Sequence, residues 1–193
     1  MKKILICLLV FFATYTAKAQ IDPNALPLDV PWTVSFGVNF VDNDGFRFVQ
    51  PFDTDNWNFK NPISFSAQRK WHMHWAAGIA LSVNTLQKKN SQNGYTLDDD
   101  LTLFALDGSV NWIYDNYFMD TPNIDPFEAY LTSGIGYTSV GSFDTATFNL
   151  GLGFNFWIIK DVGIRIQTMG KWGKDYQYLH NYLQHSIEFI ARF

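Results

Sequence analysis

Apolar and polar residues alternate with a period of two along most of this chain, and the apolar side of the alternation is crowded with Phe and Trp. Period two belongs to β-strands, whose successive side chains point to opposite faces. Residues 32–40 place Trp32, Val34, Phe36, Val38 and Phe40 on one side, against Thr33, Ser35, Gly37 and Asn39. Residues 71–83 place Trp71, Met73, Trp75, Ala77, Ile79, Leu81 and Val83 together. Residues 147–158 set Phe148, Leu150, Leu152, Phe154, Phe156 and Ile158 against Thr147, Asn149, Gly151, Gly153 and Asn155. The segment ending at Phe193 sets Leu183, Ile187, Phe189, Ala191 and Phe193 against Tyr182, Gln184, Ser186, Glu188 and Arg192. Weaker alternation covers residues 59–69, 103–114, 127–139 and 161–172, which makes eight segments.

Bulk decides which face meets what. A closed sheet of eight strands has an interior just wide enough for side chains. The face rich in Trp and Phe cannot fit inside it, whereas the Gly, Ser, Thr and Asn of the other face can. The bulky face therefore points outward. A tilted strand needs about 9–11 residues to cross a bilayer. Lipid offers no partner for an unpaired backbone N–H, so a spanning sheet has to close on itself. The pattern predicts an all-β fold: an eight-stranded antiparallel up-and-down transmembrane β-barrel over 31–193, preceded by a lead-in over 20–30.

The links support this reading. Long ones are expected at about 42–58, 84–102, 139–146 and 173–181. Tight ones are expected at Arg69-Lys70 and at Ile159-Lys160-Asp161. The link from Asp115 to Asp125 is longer, with turn chemistry at Thr121-Pro122-Asn123 and Asp125-Pro126. Long links on one side and short ones on the other are the habit of outer-membrane barrels.

The first 19 residues read as a cleaved secretory signal. Lys2 and Lys3 precede the apolar run from Ile4 to Ala13, and Ala17-Lys18-Ala19 supplies the small-x-small cleavage pattern before Gln20. The run is too short for a membrane helix. Its removal takes away Cys7, the sole cysteine, and leaves no disulfide framework and no cysteine nucleophile. It also leaves 11 basic against 18 acidic residues, a balance that gives no reason to propose nucleic-acid binding.

Six charged residues fall on the polar face: Asp107, Glu128, Arg165, Lys171, Glu188 and Arg192. In a narrow lumen they have to pair, because an unpaired buried charge costs several kcal/mol. They are expected to form a structural network that plugs the lumen, with a selectivity filter as the sharper reading. Trp32, Trp71, Trp112, Tyr114, Trp172 and Phe193 lie near strand ends, where interface aromatics collect, and Trp75 reads as deeper, outward-facing bulk. His72 and His74 share a side but need a third ligand to hold a metal. Asp98-Asp99-Asp100 reads as a solvated loop rather than a calcium site. His180 and His185 fall on opposite faces, as do His185 and Ser186, and no Gly-x-Ser-x-Gly elbow is present. No catalytic residue, metal or cofactor is assigned.

The chain resembles the OmpA-like outer-membrane β-barrel family, specifically the barrel half of OmpA-type porins. The resemblance covers about residues 31–193. It rests on Pro31-Trp32-Thr33-Val34-Ser35-Phe36-Gly37, on Leu150-Gly151-Leu152-Gly153-Phe154-Asn155-Phe156-Trp157, on Asp161-Val162-Gly163-Ile164 and on Asn181-Tyr182-Leu183-Gln184-His185-Ser186. It implies a protein exported by the general secretory route to the outer membrane of a Gram-negative cell, with outer-membrane lipids around it. It also implies that Ile187, Phe189, Ala191 and Phe193 form the C-terminal signal read by the barrel assembly machinery. The peptidoglycan-binding domain that many members carry has no counterpart in the sequence, so wall tethering is not expected. The expected role is non-enzymatic and structural, as a scaffold or a small subunit among other envelope proteins. The alternatives are a narrow porin and a surface binding module acting through external links, the first of which carries Phe46, Phe48, Phe52 and Trp57.

Overall fold

The computed structural model describes residues 32–44, 48–55, 57–88, 90, 92, 94–114, 127–159, 161–174 and 181–193. The leader, the lead-in, Thr121-Pro122-Asn123, Asp125-Pro126, Phe46 and His180 lie outside the described residues.

Eight antiparallel strands form one closed barrel in sequence order. They are β1 (Trp32–Asp42), β2 (Ile63–His72), β3 (Trp75–Leu86), β4 (Leu101–Ile113), β5 (Phe127–Val140), β6 (Phe143–Ile159), β7 (Val162–Gly173) and β8 (Tyr182–Arg192). Closure comes from β1 against β8, paired from Thr33↔Arg192 to Asp42↔Leu183. This is the all-β, eight-stranded up-and-down architecture that the alternation predicts.

The two faces divide as bulk requires. Phe36, Ile79, Ile135, Phe148, Ile158 and Phe189 are exposed on the outside, while Ser35, Asn39, Ser82, Asn84, Asn111, Thr132 and Asn149 are buried inside. Two inward glycines make room for larger neighbours. A Cβ at Gly136 would lie 2.1 Å from Asp107 Oδ1, and one at Gly153 would lie 2.3 Å from the Tyr130 ring.

Two link boundaries differ from the sequence reading. The β2–β3 turn is at Met73-His74 rather than Arg69-Lys70, so Trp71 belongs to the end of β2, before His72, instead of opening β3. Alternation runs unbroken through this hairpin, and a register shift between Lys70 and His72 absorbs the difference. Trp75 then stands at the first position of β3, opposite Trp112, so it belongs to the strand-end aromatics and not to deeper bulk. The β5–β6 link is only Gly141-Ser142, because β6 begins at Phe143 and runs for 17 residues. Gly141 takes φ +59°, a conformation glycine adopts without a steric penalty, and so allows the tight reversal.

Candidate functional site: the filled lumen

The inside of the barrel is the site, and it is filled in layers. At the end bearing the β2–β3 and β6–β7 turns, Lys70 pairs with Glu128, which also accepts a hydrogen bond from Asn155 Nδ2 at 2.8 Å. The next layer is built on Arg165, whose side chain is 1% exposed. Its Nε donates to Asn155 Oδ1 at 2.9 Å, and its two terminal nitrogens donate to Ser66 Oγ and Gln68 Oε1, both at 3.0 Å. Glu188 lies 3.7 Å from the same guanidinium and accepts from Ser35 Oγ at 2.6 Å. Tyr130 lies beneath Arg165, its ring centroid 5.8 Å from Cζ, and donates to Gln167 Oε1 at 2.7 Å.

The third layer holds Lys171 and Asp107, 2.6 Å apart, with Asn149 Nδ2 donating to the other carboxylate oxygen at 2.8 Å. Lys171 also faces the Tyr182 ring at 5.6 Å, and the Tyr182 hydroxyl is 2.9 Å from Thr138 Oγ1. Above this layer the lumen turns apolar. Val41, Leu86, Leu97, Leu103, Ala105, Val140 and Tyr182 pack into one buried cluster. Amides flank it on both sides: Gln92 Nε2 donates to Asn58 Oδ1 at 3.0 Å on the outer side, and Asn84 Nδ2 donates to Asn39 Oδ1 at 2.7 Å between the cluster and the charged layers.

Of the six charged residues singled out on the polar face, Asp107, Glu128, Arg165, Lys171 and Glu188 stand in these layers. Arg192 does not. It sits at the rim, 3.8 Å from Asp161 and 4.2 Å over the Trp157 ring, because β8 has reached its last residue there. Lys70 is the member that the sequence reading missed. It shares the parity of Ser64, Ser66 and Gln68, which is the signal that could have found it, but the sequence reading puts Arg69-Lys70 in a turn. The apolar cluster was also missed, since its residues interrupt the polar side of the alternation only near one end of the strands.

The remaining candidates are placed as follows. Trp32, Trp71, Trp75, Trp112 and Trp172 are all exposed on the outer face near strand ends, Tyr114 follows directly on β4, and exposed Phe193 follows β8. Ile187 and Phe189 are exposed on the outer face of β8, and Ala191 follows on the same side. The His72 and His74 rings lie 5.4 Å apart and tilted at the β2–β3 turn, and no group of three metal-binding side chains occurs among the described residues. Ser186 and His185 point to opposite faces. Asp100 of the β3–β4 link accepts a hydrogen bond from Lys60 Nζ of the β1–β2 link at 2.6 Å, and Lys88 N–H donates to its other oxygen at 3.0 Å. The Lys60 hydrogen bond, aided by that of Lys88, holds the Asp100 carboxyl below its usual range.

No protein-family model matches the chain, and no curated protein matches it in sequence. Solved structures do match. The outer membrane protein OprG from Pseudomonas aeruginosa aligns with a TM-score of 0.58 and 11% identity, covering 85% of this chain and 96% of that one. Neisserial surface protein A aligns with a TM-score of 0.50 and 13% identity, covering 84% and 95%. Ail of Yersinia pestis, solved in a phospholipid bilayer nanodisc, aligns with a TM-score of 0.50 and 10% identity, covering 86% and 100%. Closed topology, an apolar outer wall and a packed polar lumen together define a small eight-stranded transmembrane β-barrel. The fold is that of the OmpA-like outer-membrane barrels.

Proposed function

We propose that this chain is an integral outer-membrane protein whose barrel is a solid, non-conducting pillar with a structural or scaffold role. In this reading it stands among other envelope proteins and catalyses no reaction. The observation that carries it is the stacking of four different fillings along one lumen. Lys70–Glu128, the Arg165 cluster and Lys171–Asp107 are followed by an apolar plug flanked by amides. An ion moving along that axis would have to strip its water and break buried charge pairs in succession, then cross side chains with nothing to coordinate it. The ion pairs and hydrogen bonds of these layers tie opposite strands together across the lumen, Lys70 of β2 to Glu128 of β5 and Asp107 of β4 to Lys171 of β7.

The surrounding partner in this reading is lipid. The outer wall is apolar over the strand centres, and aromatics gather toward the strand ends. Export through the general secretory route and handling by the assembly machinery at Ile187, Phe189, Ala191 and Phe193 complete the proposal.

Two measurements test it. The protein should stay with the membrane fraction through high salt and alkaline carbonate, and should shift in gel mobility on boiling. Purified protein in planar bilayers should give no reproducible conductance steps. Discrete steps abolished by substitutions at Lys171 would instead establish the narrow porin.

A further inference from the structure

In the first external link, residues 48–55 and 57–59 lie against the barrel wall. Asn58 pairs with Val41 in both directions, N–H to O at 2.8 and 3.1 Å, which extends the β1–β2 ladder and turns Trp57 and Phe59 outward. Phe59 stacks on Phe40 of β1 at 4.5 Å, and Trp57 stacks on His185 of β8 at 4.6 Å. Phe48 stacks on Trp172 of β7 at 5.6 Å with the rings 10° apart. Phe48, Trp57 and Phe59 therefore lie against the outer faces of three strands, on the same wall that carries Phe148 and Ile187.

Beneath it lies a polar spot on that wall. Thr168 Oγ1 and His185 Nδ1 are hydrogen-bonded at 2.9 Å, and His185 is only 7% exposed because Trp57 and Phe52 cover it. In the same link Val49 is 79% and Phe52 75% exposed.

We propose that this link is a membrane-seated strap: Val49, Phe52 and Phe48 lie in the apolar part of the outer leaflet, and the strap shields the Thr168–His185 pair from lipid. Its occupant is the lipid surface, because the strap continues the outward apolar wall and closes over the polar pair, which bare lipid would otherwise meet directly. Amphipathic segments of this kind are held at the boundary by their buried apolar area.

The test uses spin labels on single cysteines at Val49 and Phe52 in the full chain with Cys7→Ala, folded into phosphatidylcholine–phosphatidylglycerol vesicles. Ile135 on the outer wall and Tyr95 in another external link serve as references. Collision with oxygen as high as at Ile135, and with a water-soluble nickel chelate at least several-fold lower than at Tyr95, is the expected result. Nickel accessibility equal to that at Tyr95 overturns the strap and makes these aromatics a water-facing docking surface for a protein. A water-like signal at Ile135 itself overturns the bilayer-spanning reading along with it.

Discussion

Lys171 and Asp107 face each other across the lumen at 2.6 Å, with the lysine side chain fully buried and the aspartate 3% exposed. Lys171→Met alone leaves a buried carboxylate without its cation, which should cost about 3–5 kcal/mol. Pairing it with Asp107→Leu removes both charges and should recover most of that loss. Urea unfolding from vesicles, followed by Trp fluorescence, measures both. A double variant no better than the single one would mean that the pair holds the barrel through its hydrogen bonds to Asn149 rather than through mutual neutralisation.

Arg165 and Arg192 lie on adjacent strands and face the same side, yet they should behave very differently. Arg165→Ala strands Glu188, Asn155, Ser66 and Gln68 inside the barrel and should cost about 3–5 kcal/mol. Arg192→Ala removes a rim contact to a half-exposed Asp161 and should cost about 1 kcal/mol or less. Equal losses would show that the rim pair carries closure of the barrel.

The inward glycines are clearings for named side chains. Gly136→Ala drives a methyl into the Asp107 carboxylate, and Gly153→Ala drives one into the Tyr130 ring. Each should lower stability by about 1–3 kcal/mol. Gly108 is the control, since the nearest atom to a Cβ there is a carbonyl oxygen at 4.0 Å. Gly108→Ala should leave the unfolding midpoint unchanged.

At the exposed end, Asp100 should titrate below its reference value of 3.8. A depressed carboxyl contributes stability that is complete above the unfolded value and lost as pH falls through the lower folded one. Tethering of the β3–β4 link to Lys60 should therefore persist at pH 5 and fade only below 3.8. Carboxyl NMR of the folded protein should show the low midpoint, and Lys60→Ala should move it upward. A midpoint indifferent to Lys60 would dismiss the tether.

Strand number, closure and the division of faces could all be read from the sequence, because a period of two with Phe36, Phe148 and Phe189 on one side fits only one curvature. The charged layers could be read in outline for the same reason: inward parity plus charge forces pairing. Turn positions were harder. Alternation through Trp71, Met73 and Trp75 does not say where the chain reverses, and only the register shift near Lys70 fixes it. The two-residue turn at Gly141 was hidden because Asp144 is polar on the outward side, where it reads as loop. The apolar plug depends on Val41, Leu86, Leu103 and Val140 arriving at one height from four strands. That coincidence follows from strand stagger, which a linear pattern does not carry.

The seam between β1 and β8 sets the order in which this molecule can come into being. Every other pairing joins neighbours in the chain and can zip up locally, one hairpin after another. Thr33 has to wait for Arg192. Until then a growing sheet carries two open edges, each able to capture another copy. Closure is therefore a single late event with a large loop-closing cost, and the slow step of folding should be the meeting of the two ends of the sheet.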